Sequence, residues 1–255
     1  MRIIGFMVVG PNEKYLERSL LEFKRLCDDA MIVTNNADQE TKDLIDKYGY
    51  SHYEDNRVWG IDQPNIKTDL LIRIGELNPD WIIALDADEV FAPEFTREEA
   101  ERLASVGEIA YYFMVVNLYN DEFHFAHGEG IQRFWNIRFY KYMPEYGLQF
   151  QRKNLHCGLG PPITYNFGWH APYYLLHYGL MDKADRDRKV ERYRQFDPNK
   201  KFKAGAYYDD LGKELPMHKF DRFSLLERLK ETKETQPRQI PKRVKALYNG
   251  TEPNI

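Results

Sequence analysis

Cysteine is scarce in this sequence: Cys27 and Cys157 are the only two in 255 residues. They lie far apart and Cys27 falls in a helical pattern, which argues against a disulfide framework and fits a reducing, cytoplasmic setting. No stretch reaches the roughly 18 consecutive apolar residues of a membrane-spanning helix. The opening Met-Arg-Ile-Ile-Gly-Phe-Met-Val-Val-Gly is too short and wrongly flanked for a secretory leader, so any membrane contact would be peripheral. Charge of one sign is not in large excess either, the net charge being -4. Residues 1–200 carry 24 Lys/Arg against 32 Asp/Glu and residues 201–255 carry 12 against 8, a mildly basic tail on an acidic body. That tail reads as solvated helix faces more readily than as a nucleic-acid or membrane patch. Internal repeats and low-complexity segments are absent too. What remains, 43% hydrophobic and 30% charged residues, is the composition of an ordinary globular protein.

The chain then reads as alternating elements. Residues 3–9 (IIGFMVV) form an unbroken apolar run ending at Gly10-Pro11, the mark of a strand buried on both faces. Asn12 is a plausible cap for a helix reaching Leu26, with Tyr15, Leu16, Leu20, Phe23 and Leu26 at helical spacing. A strand over 30–34, a turn at 35–38, a helix over 39–48, a short strand at 52–55, a helix over 66–77 and a strand over 81–85 follow. Four strands alternating with helices is a nucleotide-binding α/β pattern. After residue 91 the pattern changes. Aromatic-rich strands over 109–118 and 133–142 are separated by a polar loop, 120–130, with no helix between them, so this half is mixed or antiparallel. Helices are expected over 182–195 and 221–232. The expected organisation is a catalytic domain over 1–195, divided at residue 91 into a nucleotide-binding half and an acceptor half. A mostly helical C-terminal extension follows over 196–255.

Chemistry concentrates in DWIIALDADEVF, residues 80–91. An apolar strand there ends in Asp86-Ala87-Asp88-Glu89, and in extended backbone residues i and i+2 point the same way. Asp86 and Asp88 would then aim at one site at the carboxyl end of a strand, where open α/β sheets bind ligands. Two carboxylates side by side repel, and a divalent cation removes the conflict. Oxygen ligands favour Mg²⁺ or Mn²⁺, with substrate phosphates completing the shell. An isolated Asp-x-Asp is usually a solvated turn; the buried strand before it and the βα units upstream favour the metal reading here.

Residues 1–91 resemble the nucleotide-binding half of family-2 glycosyltransferases of the GT-A kind. Gly10-Pro11-Asn12-Glu13-Lys14-Tyr15-Leu16 is similar to their opening motif, and Asp86-Ala87-Asp88 to their Asp-x-Asp. The resemblance implies a GT-A fold, a Rossmann-like mixed sheet flanked by helices. It also implies a nucleotide-sugar donor, a UDP-sugar above all, whose base lies against Val9, Gly10 and Asn12. Where the family places an Asp to read the base, this chain has Asn35-Asn36 ahead of Asp38. Lys67 matches the cation that approaches the donor phosphates better than Arg73 does, and Asp86 contacts the metal or the donor ribose. Further on, 133–140, His156-Cys157, Leu176-His177-Tyr178-Gly179 and 189–193 resemble the C-terminal pattern of one branch of the family. That branch implies His177 as a third metal ligand beside Asp86 and Asp88.

Where the branch carries Glu after His, this chain has Cys157, so the general base must come from elsewhere. His156 and Glu129 stand first, with Asp121 and Glu122 behind them. The implied reaction is metal-dependent sugar transfer to an acceptor hydroxyl, inverting by resemblance. The acceptor, whether a glycan, a lipid-linked sugar, a protein or a modified nucleobase, is not legible. Two rivals stand beside this reading. A metal-dependent nucleotidyltransferase would bring a Gly-rich phosphate loop, which Val-Val-Gly-Pro-Asn-Glu is not. A silent sugar-binding or scaffold protein would retain the fold without turnover, in line with the missing Glu.

Overall fold

The computed structural model describes residues 1–151, 155, 157–200 and 205–234. Strand β1 (Ile3–Val9) is almost wholly buried, as its apolar run requires, and stands at the centre of a parallel half. Helix α1 (Leu16–Leu26) buries Leu16, Leu20, Phe23 and Leu26. It starts later than expected because Asn12 adopts a left-handed φ of 59° and its N–H donates to Asp38 instead of opening the helix. Strand β2 (Asp29–Thr34) leads to α2 (Gln39–Lys47), which Asp38 caps by accepting the Thr41 N–H at 2.8 Å. Strand β3 (Ser51–Glu54) is followed by α3 (Trp59–Ile74), which begins seven residues before the expected Ile66. Asp62, Gln63 and Pro64 hide this first half from a periodicity reading. Tertiary packing secures it, since Gly60 lies so close to the Phe196 ring that no Cβ would fit.

Strand β4 (Trp81–Ala84) completes the parallel order β3-β2-β1-β4. The rest of the sheet is built from β5 (Glu89–Phe91), β6 (Ala110–Tyr119), β7 (Asp121–Ala126), β8 (Phe134–Lys141), β9 (Trp169–His177) and β10 (Met217–Lys219). The full path is β10-β7-β6-β8-β4-β1-β2-β3, with β9 paired to both β6 and β5. β8 runs antiparallel to β4 and to β6, and β9 runs parallel to β6, so the second half is mixed as expected. Residues 121–126, expected within a polar loop, form β7 instead. Their charged side chains face outward while β6 and β10 satisfy the backbone from either side.

Helices α4 (Arg97–Ser105), α5 (Pro162–Asn166), α6 (Lys183–Phe196), α7 (Gly205–Leu211) and α8 (Arg222–Glu234) complete the fold. β10 adds a strand to the sheet and α8 buries Leu225, Leu226 and Leu229, so residues 217–229 pack onto the body. One apolar core lies under α1, α4 and α8, with Phe91, Phe95 and Phe113 rings 4.8 to 4.9 Å apart; the other lies under α3. This is the GT-A architecture the sequence implied: a Rossmann-like half continued by antiparallel strands and flanked by helices. No helix among the described residues is long and apolar enough to cross a membrane.

Candidate active site

The acidic cluster lies where β4 ends. The strand stops at Ala84 and the chain turns through Ala87-Asp88, so the expected i, i+2 alternation does not carry through. β5 then pairs antiparallel with β9, setting Glu89 opposite His177, while β6 brings Asn117 opposite the same histidine. This register delivers Asp88 to the end of β9, where its carbonyl accepts the Tyr178 N–H at 2.8 Å.

His177 and Asp88 therefore meet, Nε2 lying 3.3 Å from Oδ2. The imidazole is oriented from behind. Its Nδ1 is 2.7 Å from Asn117 Oδ1, and the Asn117 amide is itself fixed because its Nδ2 donates to the Gln132 carbonyl at 3.1 Å. A carbonyl only accepts, so Asn117 Oδ1 faces the histidine, the ring proton sits on Nδ1, and the Nε2 lone pair faces Asp88. A lone pair facing a carboxylate at this range is stable only with a proton or a metal cation between them. Lys189, on α6, sits 3.5 Å from the same Asp88 oxygen. Burial alone would raise the Asp88 pKa, but His177 and Lys189 beside it override this and hold the carboxyl well below the usual carboxylate range.

Asp86 has a different partner. It is half-exposed and lies 3.6 Å from the Arg138 guanidinium, while its N–H donates to Glu89 Oε2 at 3.1 Å. Arg138 and Glu89 form a bidentate pair at 2.5 and 2.6 Å, each side chain 2% exposed. Burial opposes the Arg138 charge, and the Glu89 carboxylate outweighs it, raising the guanidinium pKa. Glu13 joins the site from the first loop. Burial first and then the Asp88 charge push its carboxyl up to about 7, with Asp86 adding to them and Lys189 and Arg192 pulling the other way. Among the described residues no three His, Cys, Asp or Glu side chains converge as a metal-binding group; Asp88 and His177 stand as an adjacent pair of donors.

The nucleotide-side candidates gather at the carboxyl ends of β1, β2 and β3. Val9 is buried and its carbonyl accepts the Asn35 N–H at 2.7 Å; Gly10 follows it in the loop. Asn35 donates through Nδ2 to the carbonyls of Asp55 and Arg57 at 2.5 and 2.9 Å, tying β2 to the loop after β3. Asn36 is exposed with φ 53°, and Asn12 is exposed above Asp38. Lys67 is 1% exposed and donates to the carbonyls of Cys157 and Gly158 at 3.0 and 3.1 Å. It thus anchors the 157–158 segment from beneath, and burial lowers its pKa. Arg73 lies over the Tyr53 ring, 4.4 Å from its centroid.

Of the base candidates, His156 lies outside the described residues. Asp121 is engaged by His124 at 2.9 Å and Glu122 by Arg18 at 2.7 Å. Glu129 is exposed, in a segment that Asn117 grips through Gln132 and that Asp210 grips through the N–H groups of Gly130 and Ile131. Sequence reasoning had assigned no role to Asn117, Arg138, Lys189, Glu13 or Gly179, although Glu13, Gly179 and Lys189 fall inside the resembling motifs. The detectable signals were polar side chains at buried positions of aromatic strands for Asn117 and Arg138.

Gly179 is the tightest element of the site: a Cβ there would collide with Asp88 Oδ2, Lys189 Nζ and His177 Nε2. These are side-chain ends, so an added methyl displaces them and spares the backbone. Gly179→Ala is expected to lower turnover by about 100-fold through misplacement of Asp88 and His177. Its melting temperature should stay within a few degrees of wild type; steady-state kinetics beside a thermal melt check both.

No protein-family model matches this sequence, and no curated protein matches it. Among solved structures, the chain is similar to a fragment of S. aureus TarS, residues 1–349, in complex with UDP. The identity is 10% and the TM-score 0.48, over 83% of this chain and 70% of that one. Against a longer TarS structure the match spans 42% of that chain. It is also similar to glucosyl-3-phosphoglycerate synthase from Mycobacterium tuberculosis in complex with Mn²⁺, UDP and glucosyl-3-phosphoglycerate. There the identity is 14% and the TM-score 0.32, over 46% of this chain and 44% of that one. A third is 4-diphosphocytidyl-2C-methyl-D-erythritol synthase, at 13% identity and TM-score 0.39, over 55% of this chain and 75% of that one. At such identities and scores none of them assigns a residue of this chain.

Proposed function

We propose that this protein is a glycosyltransferase that moves a sugar from a nucleoside-diphosphate donor, a UDP-sugar first among them, to an acceptor hydroxyl with inversion. The observation that carries the reading is the His177 ring, held by Asn117 with its lone pair aimed at Asp88. A carboxylate and an imidazole oriented in this way fit a divalent cation, Mn²⁺ or Mg²⁺, as two of its ligands, and the Gly179 cradle keeps the space around them clear of side chain. A cation bound there supplies charge neutralisation for the departing diphosphate. The remaining roles fall to the chain. Asn117 fixes the imidazole tautomer, Glu89 and Arg138 hold Asp86, and Lys189 adds positive charge beside the phosphates. The donor base lies against Val9, Gly10, Asn12, Asn35 and Asn36. Glu129 takes the acceptor proton, because its segment is tied to the site through Gln132 and Asn117.

The test is nucleoside diphosphate release across a panel of nucleotide sugars with Mn²⁺, Mg²⁺ or chelator. Release from one donor, lost on chelation, is the expected outcome. Release that survives chelation would transfer charge neutralisation to Lys189, whose position on Asp88 gives that reading its basis. Formation of a nucleotide sugar from nucleoside triphosphate and sugar phosphate would favour the nucleotidyltransferase. Donor binding without turnover in the presence of acceptors would favour the silent scaffold. No donor binding by thermal shift would overturn the proposal.

A further inference from the structure

One helical turn beyond Lys189, α6 turns a different surface to solvent. Tyr193 lies four residues on from Lys189 and so on the same helix face, and with Tyr208 it borders a cavity of about 450 Å³ between α6 and the 208–213 segment. The two tyrosine rings are 5.2 Å apart at 63° and, with Val190, give the cavity an apolar wall. Polar groups face them. Asp197 is 4% exposed and accepts the Tyr208 hydroxyl at 2.5 Å, and Lys200 pairs with Asp209 at 2.5 Å. The volume lies within the usual range of small-molecule sites, about 300–1,000 Å³, and a site between helices is a common location for one.

The cavity is tied to the transfer centre by its walls. Tyr207 packs against Tyr193 with ring centroids 6.0 Å apart, beside Lys189. Asp210, on the same helix as Tyr207 and Tyr208, accepts the N–H groups of Gly130 and Ile131 at 2.8 and 3.1 Å and so holds the Glu129 segment. A helix that lines the cavity and steadies the proposed base belongs to the acceptor side. The chemistry of the lining selects among ligand classes. Tyrosine rings tilted at 63° cannot sandwich a planar nucleobase, and the lining sets the Asp197 and Asp209 carboxylates among Arg194, Lys200 and Lys213, with Lys200 paired to Asp209, so it is a mixed lining and not the uniformly cationic cradle a polyanion needs. An apolar ring face beside carboxylates and ammonium groups suits a sugar, which has a C–H face and an edge of hydroxyls that both donate and accept.

We propose that this cavity is a saccharide subsite, holding a sugar ring of the acceptor other than the one that receives the transferred sugar. The word acceptor rests on the transferase reading; the saccharide site itself does not. The test uses the full chain on an array of defined neutral and uronic oligosaccharides, without donor. Gly212 supplies the obstructing variant, since it lines the cavity and a Cβ there meets only the Asp209 carbonyl at 3.8 Å. At least one saccharide is expected to bind, with affinity reduced tenfold or more in Gly212→Trp. Asp209→Ala, a change at an exposed ion pair, should weaken the same saccharide at least threefold and serves if the tryptophan variant does not fold. Retention of no saccharide, binding untouched by both variants, or displacement of bound saccharide by inorganic pyrophosphate would each overturn the proposal. Donor release is measured separately: its failure removes the transferase reading, whereas variant-insensitive saccharide binding removes only the subsite.

Discussion

Asp88→Ala is expected to abolish donor turnover, with a loss of at least about 10³-fold in kcat, or roughly 4 kcal/mol of transition-state stabilisation. The magnitude follows from what Asp88 does in the geometry. It is the only carboxylate in contact with both His177 and Lys189 among the described residues, and its carbonyl fixes the Tyr178 turn that leads to Gly179. Removing the side chain leaves the turn, because the turn uses the backbone, and takes away the negative charge around which the His177 imidazole and the Lys189 ammonium are arranged. Lys189 retains 18% exposure and can relax toward solvent, so the fold should tolerate the change. Asp88→Asn keeps the shape without the charge and should lose nearly as much activity, which separates charge from packing. The KM for the donor should rise along with the fall in kcat, since the same site grips the diphosphate. Steady-state kinetics on the donor found by the panel decide the matter; a loss of less than tenfold in both variants would remove Asp88 from the mechanism.

Much of this arrangement was readable in advance, for physical reasons that also mark where reading stops. An apolar run such as Ile3–Val9 has few alternatives to a buried strand, and Asn35-Asn36-Ala37-Asp38 ahead of a helical pattern has few alternatives to a turn from strand into helix. The strand, turn and helix order over the first 91 residues therefore emerged nearly intact. The start of α3 did not, because Pro64 and Gln63 break the pattern and the helix there depends on Gly60 meeting Phe196, residues 136 positions apart. β5 is three residues long and exists because β9 pairs with it. β7 looks polar in isolation and becomes a strand through β6 and β10.

The site shows the same division. Asp88 and His177 were legible through motif resemblance and do meet. Asn117, which orients the histidine, sits in a strand whose sequence gives no pairing information, and Lys189 reaches Asp88 from a helix 101 residues away. Lys67 was expected, from the resemblance, to approach the donor phosphates. In the structure it is 1% exposed, its ammonium held by two carbonyls of the 157–158 segment. Local patterns report which residues bear chemistry; register and burial decide which of them stand together.

Arg138→Met is expected to be the most destabilising substitution near the site, by about 3–5 kcal/mol, because it strands the Glu89 carboxylate at 2% exposure without a counter-charge. For a chain of this size that corresponds to a fall of roughly 10 °C in melting temperature. Replacing both partners, as Glu89→Leu with Arg138→Met, removes the unpaired charge and should recover most of the loss, since apolar replacement of a complete buried pair is often close to neutral. Activity should not recover with it. The Asp86 N–H loses its acceptor and the Asp86 carboxylate loses its nearest guanidinium, so the double variant is a folded protein with Asp86 unheld. A purely structural pair would return stability and turnover together. A positioning pair returns stability alone, with the residual defect in the donor KM and in the metal concentration needed for half-maximal rate. Thermal melts beside donor and metal titrations of the two variants read the difference, and full recovery of both would show that Glu89 and Arg138 serve the fold and leave Asp86 to find its place unaided.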